Sequence, residues 1–293
     1  MDNYCNICQK GDTAFDKEAS TYLSLPNGIT IVKCKHCGLR WLHPMKTTTE
    51  YIELYKFSYF ESIPEDYEKI ATERVIHYHK RLMSIKNILN KNKIHMLDVG
   101  AATGEFINEA LKLGIDAVGI ETSESACNKA RAKYNINMIQ GDFLNFDFGD
   151  KQFDVIHMHH VFEHLPDPSR SIEKIRSILH DDGLLVLEVP NQFNNVLYLV
   201  MKAIGRLKPM QFGIYSVHHP FFYTPRSLRL LFQKHNFEIE KMSTWKSYMK
   251  TKSGSFYPGA TFIEDYVLML GDLISKSGLF IEIYARKGRG RLR

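Results

Sequence analysis

From residue 94 onward, short apolar runs alternate with amphipathic stretches of helical length. Residues 94–99 (Ile-His-Met-Leu-Asp-Val) read as a buried strand. They run into Gly100-Ala101-Ala102-Thr103-Gly104 and then a helix over 105–113. The same alternation predicts a strand at 117–121, a helix at 124–134, a short strand at 138–139 and a strand at 153–158. A helix at 171–179 and a strand at 184–189 follow. Further on come a helix at 225–235, strands at 237–242 and 279–286, and a helix at 262–275 between those two strands. A helical lead-in covers 65–90. Strands spaced by helices of this length imply a doubly wound parallel sheet of the α/β class. Such sheets bind ligands at the carboxyl ends of their strands.

The first 45 residues follow another pattern. Two β-prone runs, 21–25 and 29–32, flank Pro26-Asn27-Gly28 and suggest a hairpin. On either side lie Cys5-x2-Cys8 and Cys34-x2-Cys37. Two such knuckles can direct four thiolates at one ion in the tetrahedron that zinc prefers, and Gly38 suits the backbone turn after the second. With every ligand position filled by cysteine, the zinc is expected to be structural. His36, inside the second knuckle, is read as a bystander, and Cys127 as a small core residue. The expected organisation is a ribbon at 1–45, the lead-in at 46–90, and the large domain at 91–293 with a lid insertion near 191–224.

Composition narrows the class. A hydrophobic content of 44% in 293 residues supports a packed core and argues against disorder. No secretory leader is seen. The apolar run 196–204 is broken by Lys202 and is too short to span a bilayer. It is read as a lid over the ligand in preference to a peripheral membrane helix. A cytoplasmic location is the expectation, which also disfavours disulfides for the paired cysteines. The net charge of +5 comes from five basic residues in the last eight, so the body is neutral and a nucleic-acid partner is not favoured.

The strand ends carry the candidate chemistry. Gly100 and Gly104 allow a sharp turn and a close approach to a ligand. Glu121, ending the second strand, is placed to accept hydrogen bonds from two ribose hydroxyls, and Asp142, ending the third, to hold an adenine amino group. A dinucleotide loop would read G-x-G-x-x-G and admit a pyrophosphate to the helix N-terminus. Here the middle glycine is missing, and Glu105 would repel a phosphate. An adenosine ligand without phosphates fits better.

Leu97-Asp98-Val99-Gly100-Ala101-Ala102-Thr103-Gly104 resembles the first motif of class I S-adenosylmethionine-dependent methyltransferases. Ile120-Glu121 resembles their ribose position, and Gly141-Asp142-Phe143 their adenine-side motif. Phe153-Asp154-Val155-Ile156, followed by Val161-Phe162-Glu163-His164-Leu165, resembles their fourth-strand motif. Ala102 departs from the family's usual glycine. The resemblance covers roughly residues 65–287. It implies a seven-stranded Rossmann-like sheet and S-adenosylmethionine held by Asp98, Gly100, Ala101, Gly104, Glu121, Asp142, Phe143 and His159. Residues 33–44 are similar to the ribbon ahead of bacterial methyltransferases that act on sugars or other small molecules. A small-molecule acceptor, a sugar or nucleotide-linked sugar, is therefore expected. An RNA methyltransferase and a non-catalytic S-adenosylmethionine-binding scaffold are the competing readings. The neutral body and Val189-Pro190-Asn191, in place of an Asn-Pro-Pro-Tyr acceptor motif, disfavour RNA.

Methyl transfer from a sulfonium is an in-line displacement that needs alignment and, for a hydroxyl or carbon acid, a base. His159, His160, Glu163 and His164 all follow the fourth strand. Glu163–His164 is the favoured pair, because an adjacent carboxylate raises a histidine's basicity. The alternative is that His164 packs the turn at Pro166-Asp167-Pro168. A second cluster, His218 to Pro225, could contact the acceptor or simply lead into the next helix, with Thr224 as N-cap and Pro225 at the first helical position.

Overall fold

A computed structural model of the protein describes residues 4–47, 50, 67–205, 218–245 and 278–288, and the side chains of residues 67–74 lie outside it. The predicted helix at 262–275 and most of the expected lid beyond residue 205 also fall outside the described residues.

Two sheets organise the chain. The large one has seven strands: β4 (His95–Val99), β5 (Asp116–Glu121), β6 (Met138–Gln140), β7 (Phe153–His159), β8 (Leu179–Pro190), β10 (Phe237–Trp245) and β11 (Phe280–Lys287). Their spatial order is β10-β11-β8-β7-β4-β5-β6. The pairs among β4 to β8 are parallel, whereas β11 runs antiparallel to both β8 and β10. The seven-stranded, doubly wound sheet is thus as expected, with β11 its antiparallel strand. Its strand order reverses beside β4, which is the switch point where such sheets bind ligands. Met96, Leu97, Val155, Ile156, Leu184, Leu185 and Val186 are all buried, as expected for central strands covered on both faces.

The helices are α2 (Tyr67–Leu89), α3 (Glu105–Lys112), α4 (Glu124–Tyr134), α5 (Pro168–Ile178), α6 (Val196–Ala203) and α7 (Pro225–Lys234). Most start where a side chain satisfies an orphan N–H. Ser123 caps α4 and Asn195 caps α6, while Thr224 and Ser227 form a capping box on α7. Helix α5 begins three residues before its predicted start, because Asp167 accepts from the Arg170 N–H and Pro168 is pre-shaped for the first turn. No described helix is long and apolar enough to cross a membrane.

The small sheet corrects the hairpin expectation. Residues 21–25 are not a strand. Helix α1 (Lys17–Tyr22) takes in the first two of them and a turn follows; it is nucleated by Asp16, whose Oδ1 accepts from the Ala19 N–H at 3.0 Å. A good cap followed by Lys-Glu-Ala outweighed the β-prone run. The sheet is instead β1 (Thr13–Phe15), β2 (Thr30–Cys34), β3 (Arg40–His43) and β9 (Phe221–Phe222), in that order. Strand β9 belongs to the methyltransferase-like half and pairs with β3 through Arg40↔Phe222 and Trp41↔Phe221. Ile7, Leu39 and Trp41 share one apolar cluster with Leu97, Leu185 and Phe221. The ribbon is therefore packed into the main body.

Candidate active site

A cavity lies at the carboxyl ends of β4, β5 and β6. Gly100 lines it at φ +68°, and a Cβ there would stand 2.4 Å from Val161 Cγ2, so the tight turn needs glycine. Gly104 does not line it. At φ +82° it caps α3, and its missing Cβ would meet Ile136 at 2.4 Å, which makes it a packing glycine between α3 and α4. Ala102 sits at φ +48°, left-handed backbone that costs an L-residue about 1 kcal/mol. This is the physical consequence of alanine replacing the usual glycine. The conformation is held by an Ala102 N–H bond to Glu121 Oε2 at 3.1 Å.

Glu121 is 2% exposed and lines the cavity. Its Oε1 accepts from the Ser123 N–H at 3.0 Å and the Thr122 hydroxyl at 3.1 Å. Burial raises its pKa while these donors oppose the shift. Asp142 and Phe143 lie on the adjoining wall. Asp142 Oδ1 accepts from the Leu144 N–H at 3.3 Å, and its other oxygen takes the Asn145 amide.

Asp98, Ala101 and His159 do not line this cavity. Asp98 Oδ1 bonds His157 Nδ1 at 2.7 Å. The guanidinium of Arg81 on α2 lies 3.2 Å from His157 Nε2. It also pairs with Glu188, and with Glu282 at 2.8 Å. His159 Nε2 stands 2.9 Å from Glu188 Oε1, and His160 Nε2 3.1 Å from the same oxygen. Trp245 Nε1 donates to Glu188 Oε2 at 3.0 Å. This buried network ties α2, β4, β7, β8, β10 and β11 together. Sequence reading missed Arg81, His157 and Glu188; His157 is 59 residues from Asp98, and Arg81 is 76 from His157 and 107 from Glu188. A charged residue within an otherwise apolar strand, as at Glu188, was the available signal.

The expected pairing of Glu163 with His164 takes a different form. Both lie in a single 3-10 turn, Phe162–His164. Glu163 Oε1 faces His160 Nδ1 at 3.3 Å. Burial opposes a charge on His160, but the Glu163 and Glu188 carboxylates outweigh it and push its pKa up to about 9. His164, which lines the cavity, is held low by burial despite Glu163. Its Nδ1 donates to the His218 carbonyl at 2.8 Å, which makes Nε2 the basic nitrogen of the neutral ring. His219 lies beside it, the ring centroids 4.6 Å apart. Glu163 therefore steadies His160, and the buried ring of His164 stays neutral. The other carboxylate oxygen, Glu163 Oε2, and the Tyr223 hydroxyl are buried with no hydrogen-bond partner among the described residues.

The four N-terminal cysteines converge. Cys5 and Cys37 sulfurs are 3.5 Å apart, as are those of Cys8 and Cys34, and all four lie within 4.8 Å of one another. These separations are far beyond a disulfide bond and close to the edge of a tetrahedron of Zn–S bonds of about 2.3 Å. The Cys37 N–H points at Cys34 Sγ at 3.4 Å. A bond from Cys37 holds the Cys5 thiol down to about 5, whereas burial pushes Cys8 up to about 11. The donor set fits a thiolate-loving cation.

The profile of a family described as "Methyltransferase domain" matches residues 67–242. An uncharacterized methyltransferase of Oceanobacillus iheyensis is 25% identical over 175 residues, which are 57% of this chain and 79% of that protein. A ubiquinone biosynthesis O-methyltransferase of Coxiella burnetii is 31% identical over 130 residues, 42% of this chain and 55% of that one. The plantazolicin methyltransferase BpumL, solved with SAH, shares the fold at a TM-score of 0.55 with 20% identity, over 82% of this chain and 95% of its own. The chain belongs to the methyltransferase-domain family, and its seven-stranded sheet is that of a class I S-adenosylmethionine-dependent methyltransferase.

Proposed function

We propose that the cavity holds S-adenosylmethionine and that the enzyme, a cytoplasmic one, moves its methyl group to a small-molecule acceptor, a sugar or nucleotide-linked sugar. One observation carries the cofactor assignment: Glu121, a nearly fully buried carboxylate, faces a mostly apolar cavity at the switch point of the sheet. Oε2, which takes only the Ala102 N–H, keeps a lone pair for one ribose hydroxyl, and a second can replace the Thr122 hydroxyl on Oε1. Asp142 receives the adenine amino group, Phe143 the ring, and Gly100 with Ala101 the close approach of the chain. Asp98 and Gly104 act through the loop, Asp98 by its bond to His157 and Gly104 by helix packing. His159 stands with the acceptor side, next to Glu188.

When bound, S-adenosylmethionine would supply a sulfonium methyl for in-line transfer to an acceptor oxygen, nitrogen or carbon, with S-adenosylhomocysteine as the neutral by-product. His164 Nε2 takes the acceptor's proton. Its low pKa keeps it neutral and ready at pH 7. Cys5, Cys8, Cys34 and Cys37 hold one structural zinc. Residues 1–45 form the ribbon, 46–90 the lead-in and 91–293 the methyltransferase domain, with helix α6 starting its lid.

Calorimetry with S-adenosylhomocysteine tests the site. Glu121→Ala leaves two ribose donors unpaired and is expected to weaken binding by about 2–4 kcal/mol. Unchanged affinity would sink the assignment. Elemental analysis of chelator-free protein is expected to find one zinc per chain, and metal-free, fully active protein would refute the ribbon's role. Labelled methyl transfer to a panel of nucleotide-sugars and to total RNA decides the acceptor class.

A further inference from the structure

Beside the ribbon runs an open groove, separate from the cofactor cavity. The ribbon contributes Lys33 and Lys35 to one side of it. Helix α7 contributes Arg226 and Arg229, three residues apart and so on one helical face. No carboxylate lines it among the described residues. Lys35 is paired with Asp12 at 2.8 Å, but no ion pair is made by Lys33, Arg226 or Arg229 among the described residues. The accumulation is local. Once the last eight residues are set aside, the 33 remaining Lys and Arg equal the 33 Asp and Glu.

Three facts say that this groove is built rather than incidental. Its two sides are fixed to each other: the Thr224 hydroxyl, at the start of α7, donates to the Cys37 carbonyl at 3.0 Å, and a Cβ on Gly38 would press on Thr224 at 3.3 Å. Like charges are held close together: burial and the Arg40 guanidinium lower the pKa of Lys33, with Asp16, paired to Arg40, and Glu18 offsetting only part of the shift. Asn191, 1% exposed, is among the lining residues, and its Oδ1 is left without a hydrogen-bond donor. The groove thus calls for a ligand bearing several negative charges and a hydroxyl or amino group. Arginine forks suit phosphate oxygens. Cations on two facing sides suit a diphosphate, which can meet both at once. The locally confined charge does not make the long basic track that a nucleic-acid strand needs.

We propose that this groove binds the diphosphate of a nucleoside-diphosphate-linked acceptor, so that the zinc ribbon forms one wall of the substrate site. The link to an acceptor rests on the methyltransferase reading above. The binding itself does not.

The test is calorimetry on the full chain loaded with S-adenosylhomocysteine, using uridine diphosphate, thymidine diphosphate, guanosine diphosphate, inorganic pyrophosphate and a single-stranded RNA 20-mer as probes. At least one nucleoside diphosphate is expected to bind. The double variant Arg226→Ser/Arg229→Ser should weaken it tenfold or more, and Lys33→Ser, on the ribbon side, several-fold. S-adenosylhomocysteine affinity should stay within twofold in both. The proposal is overturned if no diphosphate binds, if pyrophosphate alone binds, or if either wall can be altered without loss. It is equally overturned if the RNA binds more tightly than every diphosphate and pyrophosphate does not displace it. Wild-type protein that takes a diphosphate but no S-adenosylhomocysteine would leave the groove standing and refute the methyltransferase site instead.

Discussion

The two halves of the central site are built by opposite means. On the β4–β6 side, an apolar cavity carries a single nearly fully buried carboxylate, Glu121, satisfied by backbone and hydroxyl donors from its own neighbourhood. On the β7–β8 side, Asp98, Glu163, Glu188 and Glu282 are buried around one permanent cation, Arg81, with His157, His159 and His160 between them. The first half presents a pre-formed surface to a ligand. The second is a low-dielectric charge network whose members depend on one another. A bound sulfonium, itself a cation, would approach from the first half toward the excess negative charge of the second, which helps hold it in place.

The largest effect is expected at His164, which lines the cavity although its neighbour Glu163 belongs to the network. His164→Asn should lower turnover about 10²–10⁴-fold, while S-adenosylhomocysteine affinity measured on the same preparation stays within twofold. Turnover within a few-fold of wild type would return His164 to a packing role and make the site one of alignment alone.

Next comes the network itself. Arg81→Met removes the guanidinium at the centre of the network and leaves Glu188 to His159, His160 and Trp245, and Glu282 to the Tyr284 hydroxyl. Breaking a buried pair from one side typically costs about 3–5 kcal/mol, so the urea midpoint should fall by a corresponding amount. A loss below about 1 kcal/mol would mean that the network is water-filled and loosely coupled, and the contrast between the two halves would disappear.

The smallest effect is a pH dependence. His160 has a folded pKa of about 9 against an ordinary 6.5. A raised pKa stabilises the fold fully below the unfolded value, and that contribution is lost as pH rises from about 6.5 through about 9. Melting temperature should therefore decline across that window in the wild type and flatten in His160→Gln. An identical slope in the two proteins would show that His160 is not the titrating member.

Legibility followed the same divide. Glu121, Asp142, Phe143 and Gly100 were recognisable because each sits at a strand end, beside residues that make its turn or donate to it, so their chemistry is written within a few positions. Helix α4 was bounded correctly at both ends because Ser123 caps it and Asn135 closes it in left-handed backbone. Glu163 was expected to serve His164, its neighbour in sequence; the 3-10 turn points its Oε1 at His160, and it acts on His164 through its charge alone. Residues 21–25 were misread because a β-prone run says nothing of the strong cap at Asp16 that starts a helix just ahead of it.

By itself, the sequence determined the order of strands and helices, the two cysteine knuckles and the glycine turns, since hydrophobic period and backbone preference act over a few residues. Only the tertiary structure decided that β11 runs antiparallel between β8 and β10, that Phe221–Phe222 adds a fourth strand to the ribbon, and that Arg81 answers Glu188 from 107 residues away. Those choices are made by which buried faces and charges find partners once distant elements pack, and no local pattern encodes a partner's address.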